Sequence, residues 1–177
     1  MIPSPEFRNY SNSVDVAKYT PRKILLIDRD NTLNVDSGYT HKVADLRLVK
    51  KNLAYLESAT SNLVALYIVS NQSGIGRGYY SLKDVEIFNK ALVDQLSCMK
   101  IRIDGIILCP HTPELDCLCR KPKLGMFLFL KFRFPTAEFA MLGDSQSDRF
   151  FASEAKIPFF KSEDDYDLSC LEKWILE

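Results

Sequence analysis

The run from Cys109 to Pro122 gathers three thiols (Cys109, Cys117, Cys119) and one imidazole (His111), and sets two adjacent cations, Arg120 and Lys121, directly behind them. Three sulfurs and one nitrogen make the Cys₃His type of structural zinc site, in which four protein ligands close a tetrahedron and leave no open position. We therefore expect Cys109, His111, Cys117 and Cys119 to hold Zn²⁺; the plainer alternative is a set of free thiols. A loop folded by zinc would deliver Arg120 and Lys121 at a fixed place, and fixed cations suit an anionic substrate.

A second cluster is acidic. Asp28 and Asp30 stand two apart in Asp28-Arg29-Asp30-Asn31-Thr32, and Asp144 and Asp148 stand together further on. Carboxylates brought to one crevice repel one another unless a hard cation joins them, and Mg²⁺ takes one or two carboxylates together with substrate phosphate and water. Taken alone, Asp28-x-Asp30 is equally well a solvated turn. Its weight comes from the partners the fold would bring to it.

Those partners are set by the elements. Ile24–Ile27, Leu63–Val69, Ile103–Leu108 and Phe139–Leu142 are short apolar runs of the kind that form strands buried on both faces. A further short strand is expected at Ile157–Phe160. Between them lie amphipathic stretches: Leu46–Ala59, a helix opened by Ser81 with Asp84 as a capping box, Gly125–Phe134, Arg149–Ala155 and Leu168–Leu176. Alternation of this kind gives an α/β fold with a doubly wound parallel sheet. Asp28, Ser70, the Cys109–Lys121 loop and Asp144 each follow a strand directly. In a parallel sheet all carboxyl ends share one edge, so the four converge.

Composition excludes other classes. Lys+Arg and Asp+Glu balance at 23 each, without the basic excess that a nucleic-acid backbone attracts. No apolar run approaches the roughly 20 residues that span a bilayer. Residues 1–20 are polar and broken by Pro3 and Pro5, with no apolar core of a secretion signal; they are expected to be a disordered lead or a cloning remnant, with one domain over 21–177. Five cysteines leave one unpaired under any disulfide scheme, so a reducing cytoplasm is expected. Cys98 and Cys170 fall in apolar helical patterns that suggest burial, and the phenylalanines of 127–134 suggest core. Glu163–Asp165 reads as a solvated turn, and His41 as an exposed loop residue.

With these residues in view, the chain resembles the haloacid dehalogenase (HAD) superfamily of phosphatases. Asp28-x-Asp30-x-Thr32, Ser70, Lys121 and Gly143-Asp144-x₃-Asp148 match its four motifs in order. Within it the chain looks most like the heptose-bisphosphate and histidinol-phosphate phosphatases, which carry a zinc loop of the form Cys-Pro-His…Cys-x-Cys-Arg-Lys-Pro. The resemblance implies a HAD-like Rossmannoid fold without a large cap domain. It implies Asp28 as nucleophile, Asp30 as general acid/base, and Ser70 and Lys121 holding the phosphoryl oxygens. It further implies Mg²⁺ on Asp28, Asp30 and Asp144, with Asp148 behind them, and substrate contacts from Asp36, Ser37, Gly38, Tyr39, Asn71, Gln72, Ser73 and Arg120. The expected partner is a small phosphorylated sugar, taken by a monomer that engages neither nucleic acid nor membrane.

Three departures from the family pattern bear on substrate: Asn31 where Gly is usual, Ser145 where Lys is common, and no Pro-Gly before the first helix, where Val49-Lys50-Lys51 stands. Asn adopts positive φ more readily than most residues. The segments Asn34–Tyr39 and Ser70–Gly78 look like the heptose enzyme, whereas the tight zinc loop looks like the histidinol-phosphate enzyme. A further alternative is a HAD-like domain that has lost catalysis and binds a partner. Against it stands the joint presence of Asp28, Asp30, Ser70, Lys121 and Asp144.

Overall fold

In the computed structural model, which describes residues 6–8, 20–162 and 168–177, the apolar runs become strands because each buries both of its faces. In chain order the elements are β1 (Glu6–Arg8), β2 (Lys23–Ile27), α1 (Leu53–Ser61), β3 (Ala65–Asn71), α2 (Ser73–Gly76), α3 (Leu82–Cys98), β4 (Gly105–Cys109), α4 (Gly125–Arg133), β5 (Glu138–Gly143), α5 (Gln146–Ala155), β6 (Phe159–Lys161) and α6 (Ser169–Leu176). Strands β4, β3, β2, β5 and β6 lie side by side in that order and run parallel; β1 is added antiparallel outside β4.

Successive side chains on a strand point to opposite faces, and each face has its own core. Leu25, Ile27, Leu66, Ile68 and Ile106 pack with Leu56 of α1, Phe88 and Leu92 of α3, and Leu171 of α6. Ile24, Leu26, Tyr67, Val69 and Met141 pack with Met126 and Leu130 of α4 and Phe151 of α5. This is the doubly wound parallel sheet expected from the sequence. Each fully buried Leu or Ile contributes about 1.5–3 kcal/mol, so β2, with Ile24, Leu25, Leu26 and Ile27 all at 0% exposure, is held firmly from both faces.

The chain leaves β2 towards β3 and β4, then crosses back to β5 on the other side. That reversal lies between β2 and β5, and it opens a crevice beyond their carboxyl ends. The Asp28 N–H donates to Leu142 O at 2.9 Å, closing the two strand ends onto each other. α3 starts in the expected capping box, Ser81 accepting from the Asp84 N–H and the Asp84 side chain from the Ser81 N–H.

Several expectations need correction. Leu46–Ala59 is not one helix: Leu46 and Val49 are extended, a single 3₁₀ turn covers Lys50–Asn52, and α1 begins at Leu53. The Val49 N–H donates to Leu33 O at 2.9 Å and the Val35 N–H to Arg47 O at 2.8 Å, so this stretch spends its hydrogen bonds on the loop after β2. β3 starts at Ala65 rather than Leu63, which sits in a turn with φ 60°. Cys98 and Cys170 are exposed, not buried. Phe127 and Phe134 are core, but Phe132 on the opposite side of α4 is 92% exposed and Phe129 40%. Within the lead expected to lie outside the fold, Glu6–Arg8 forms an edge strand. Residues 1–5, 9–19 and the expected turn at Glu163–Asp165 lie outside the described residues. No helix of the described residues is long and apolar enough to cross a membrane.

Candidate active site and metal centres

Lys121 is the hub of the crevice. Its side chain is buried at 2% exposure, and its Nζ donates to Asp28 Oδ1 at 2.8 Å, Asp148 Oδ1 at 2.5 Å and Val69 O at 2.8 Å. Three acceptors satisfy all three protons of the ammonium. Burial opposes that charge, but Asp148 and Asp28 outweigh it and hold the proton on more tightly than in water. Burial also acts on Asp28, pushing its carboxyl up to about 7 against the pull of Lys121, with Asp148 and Asp30 adding to the rise.

Asp148 comes from the first turn of α5 and is fully buried. Its Oδ2 accepts from the Ser145 N–H at 3.1 Å and the Ser145 hydroxyl at 2.6 Å, while Ser145 Oγ accepts from the Asp148 N–H at 3.3 Å. Ser145, a departure from the family pattern, thus caps α5, which a lysine side chain could not do. Gly143 has to be glycine here, because a Cβ would lie 2.6 Å from Asp148 Oδ2.

Asp28, Asp144 and Asp148 bring carboxylate oxygens within 4.8 Å of one another. Burial, then Asp148, raise the Asp144 carboxyl as well. One lysine among several buried carboxylates leaves a deficit of positive charge that suits a hard divalent cation. The residues present therefore fit Mg²⁺.

Asp30 is clasped from several sides. Arg29 Nε and Nη2 donate to its Oδ1 at 3.0 and 2.8 Å, Nη2 reaches Oδ2 at 3.0 Å, Asn34 Nδ2 donates to Oδ1 at 3.1 Å, and Gln72 Nε2 to Oδ2 at 2.9 Å. Arg29 itself is 1% exposed, with Nη1 on Asn89 Oδ1 at 3.3 Å, Nη2 on Thr40 O at 2.9 Å, and its guanidinium 4.8 Å from the Phe88 ring centre. Asn31 adopts φ 56°, the left-handed form expected of it, and its Oδ1 accepts from the Asp36 N–H at 2.9 Å.

A cavity of ≈ 270 Å³ is lined by Asp28, Asp30, Asp36, Gly38, Tyr39, Ser70, Asn71, Gln72, Tyr80, Lys121 and Ser147. Most of the expected site residues thus meet at one place. Asp144 opens instead to a neighbouring hollow of ≈ 550 Å³, shared with Asn31, Lys50 and Lys51. Ser37, Ser73 and Arg120 do not line the smaller cavity; Arg120 Nη1 turns back to His111 O at 3.4 Å. Gln72 and Asn71 spend their amides within the protein, on Asp30, Ser70 and Tyr80 in one case and on the Lys121 main chain in the other. Arg29, Asn34, Tyr80 and Ser147 were missed by the sequence reading. A fully buried arginine at a strand end gives no pattern signal, although its place inside Asp28-x-Asp30 could have marked it.

The second centre stands beside the first. Cys109 ends β4, and its Sγ lies 3.5 Å from His111 Nδ1 and 3.4 Å from Cys117 Sγ; Cys119 Sγ lies 3.2 Å from His111 Nδ1 and 3.5 Å from Cys117 Sγ. All four are buried, and their ligand atoms fall within 4.8 Å of one another. Zinc at about 2.3 Å from sulfur and about 2.0–2.1 Å from nitrogen sets tetrahedral ligands about 3.5–3.8 Å apart, so outward shifts of a few tenths of an ångström fit the cluster to that ion. Burial pushes the Cys109 thiol upward, a cost that a coordinated cation reverses.

Comparison with known proteins agrees with this geometry. No protein-family model matches the chain. It is 37% identical over 138 residues to the D-glycero-beta-D-manno-heptose-1,7-bisphosphate 7-phosphatase of Helicobacter pylori, covering 76% of this chain and 80% of that one. It is 34% identical over 146 residues to the histidine biosynthesis bifunctional protein HisB of Legionella pneumophila, covering 78% of this chain but 40% of the relative. The crystal structure of D,D-heptose 1,7-bisphosphate phosphatase from B. bronchiseptica, complexed with magnesium and phosphate, superposes with a TM-score of 0.73 at 27% identity, over 78% of this chain and 79% of that one. A HAD-like protein from Mesorhizobium loti superposes with a TM-score of 0.82 at 22% identity, over 98% of this chain and 92% of that one, and shares the fold.

Proposed function

The chain belongs to the D-glycero-D-manno-heptose-1,7-bisphosphate 7-phosphatase family of the HAD superfamily, and from that premise we propose that this phosphatase hydrolyses the 7-phosphate of heptose 1,7-bisphosphate with Mg²⁺. The observation that carries the mechanism is the convergence of Asp28, Asp144, Asp148 and Lys121 at the β2/β5 reversal.

In the first half-reaction an Asp28 carboxylate oxygen bonds to phosphorus as the sugar O–P bond breaks, and the departing alkoxide takes a proton from Asp30. In the second, Asp30 removes a proton from water, the water oxygen bonds to phosphorus, and the Asp28 O–P bond breaks to release inorganic phosphate. Splitting one hydrolysis into two displacements lowers each barrier, and acid/base assistance typically adds 10²–10⁴-fold. Lys121 orients Asp28, and together with Ser70 it meets the phosphoryl oxygens. Asp28, Asp144 and the Asp30 carbonyl would hold Mg²⁺ with Asp148 behind them, and the cation would supply positive charge against the phosphoryl group. Asp36, Gly38 and Tyr39 face the sugar. Arg120 is assigned to fixing the zinc loop through His111 O rather than to substrate.

Zinc on Cys109, His111, Cys117 and Cys119 is structural in this reading, since four protein ligands leave no position to activate water. Reduced thiols at that site agree with a cytoplasmic enzyme. We further assign it as a monomer, free of nucleic acid and membrane, organised as one domain over 21–177. Histidinol phosphate is the second reading, supported by the Legionella relative. Phosphate release from both esters with Mg²⁺ decides between them. A kcat/KM higher for the heptose ester supports the proposal, and preference for histidinol phosphate overturns its substrate. Turnover of neither would favour a catalytically decayed partner-binding domain.

A further inference from the structure

We propose that Tyr80 is a positioning residue for proton transfer by Asp30, acting through the side-chain amide of Gln72. The inference rests on the reading of Asp30 as acid/base given above.

The Tyr80 hydroxyl donates to Gln72 Oε1 at 3.0 Å. Gln72 Nε2 then donates to Asp30 Oδ2 at 2.9 Å and to Ser70 Oγ at 2.8 Å. A primary amide has one oxygen and two N–H groups, and here each meets one partner. With its oxygen fixed on Tyr80, both N–H groups are directed at Asp30 and Ser70. Turned over, the same amide would set its oxygen against the Asp30 carboxylate.

Tyr80 is itself held in place. Its ring stacks on His41 with centres 4.5 Å apart at 26°. Where the chain passes Gly74, a Cβ would lie 2.3 Å from Tyr80 Cε1, so glycine is what leaves room for the ring. Burial pushes the Tyr80 hydroxyl up to about 12, and it stays a donor through the neutral range. The chain Tyr80–Gln72 thus ties together three separate segments: the loop before α3, the end of β3 with Ser70, and the exit of β2 with Asp30. Its effect is to fix the carboxylate relative to the serine that meets the phosphoryl group. Misplacement by about 1 Å costs on the order of 10²-fold in rate.

The test uses leaving groups and reads the first half-reaction, as pre-steady-state release of the alcohol or phenolate, because the second half-reaction, in which Asp30 is the base, is the same for every ester. An alkyl phosphate expels an alkoxide that needs a proton, whereas p-nitrophenyl phosphate expels a phenolate that does not. Tyr80→Phe, Gln72→Met and Asp30→Asn are compared with wild type on p-nitrophenyl phosphate and on heptose 1,7-bisphosphate (or histidinol phosphate, if that ester is preferred). We expect Tyr80→Phe to lose about tenfold more of this first-step rate on the alkyl ester than on the aryl ester, with KM within about twofold. Gln72→Met should lose selectively in the same sense, which keeps the test open if Tyr80→Phe folds poorly. Equal losses on both esters, no loss, or an effect confined to KM overturns the inference. If Asp30→Asn is selective and the other two variants are not, only the role of Tyr80 falls. If Asp30→Asn loses equally on both esters, the acid/base reading fails and takes this inference with it.

Discussion

Asn71 grips the main chain of Lys121 from both sides: its Nδ2 donates to Lys121 O at 3.1 Å, and its Oδ1 accepts from the Lys121 N–H at 3.0 Å. A residue at the end of β3 thereby fixes a residue from the cysteine loop, and the lysine side chain is aimed at Asp28, Asp148 and Val69 O. The Cys109–Cys119 cluster and Asn71 are independent anchors on the same short segment.

Asn71→Ala leaves two main-chain groups without partners. The expected cost is about 1–3 kcal/mol in stability and on the order of 10² in turnover, through misplacement of the ammonium. Zinc content should not change. Thermal denaturation, steady-state kinetics and elemental analysis of one preparation check all three; loss of zinc together with activity would assign Asn71 to the metal loop instead.

Asp28→Asn should abolish turnover while the fold persists, because Asp28 is the carboxylate that Lys121 orients in the cavity. Near-normal activity in this variant would remove Asp28 as nucleophile.

The same substitution has a pH signature in magnesium-free protein. Burial raises the Asp28 carboxyl to about 7, above its unfolded value of about 3.9. A raised carboxyl binds its proton more tightly in the folded state, so its stabilising contribution is present at low pH and is lost as pH climbs from about 4 through 7. The stability of Asp28→Asn relative to wild type should therefore be greater at pH 7.5 than at pH 5. Differential scanning calorimetry without magnesium measures it, and a difference independent of pH would show that Asp28 is not raised.

Asp30→Asn should slow turnover of the alkyl ester by about 10²–10⁴ with zinc content and fold unchanged. A loss below tenfold, with phosphoryl transfer shown to be rate-limiting, would take Asp30 out of the acid/base role.

Protein purified without added metal should carry about one zinc per chain, as a filled tetrahedral site predicts. Cys117→Ser should lower zinc and activity together, since Arg120 and Lys121 follow the site directly. Metal-free protein of full activity would reduce Cys109, Cys117 and Cys119 to ordinary thiols.

The linear order of residues determined which chemistry was present and roughly where each piece would land. Apolar runs that must bury both faces can only be central strands of a layered sheet, so Asp28, Ser70, Cys109 and Asp144 were bound to meet at one edge, and four soft ligands in so short a run imply their own ring closure. Tertiary structure alone decided how those groups are held. That Arg29 lies fully buried against Phe88, that Gln72 turns inward to Asp30, and that Asn71 turns inward to the Lys121 main chain are contacts between segments far apart in the chain. No periodicity encodes such contacts, because a polar side chain pointing into the protein has the same local sequence as one pointing into water. The same reason explains the misplaced start of α1, where hydrogen bonds from Val49 to Leu33 and from Val35 to Arg47 overrode a helical apolar spacing.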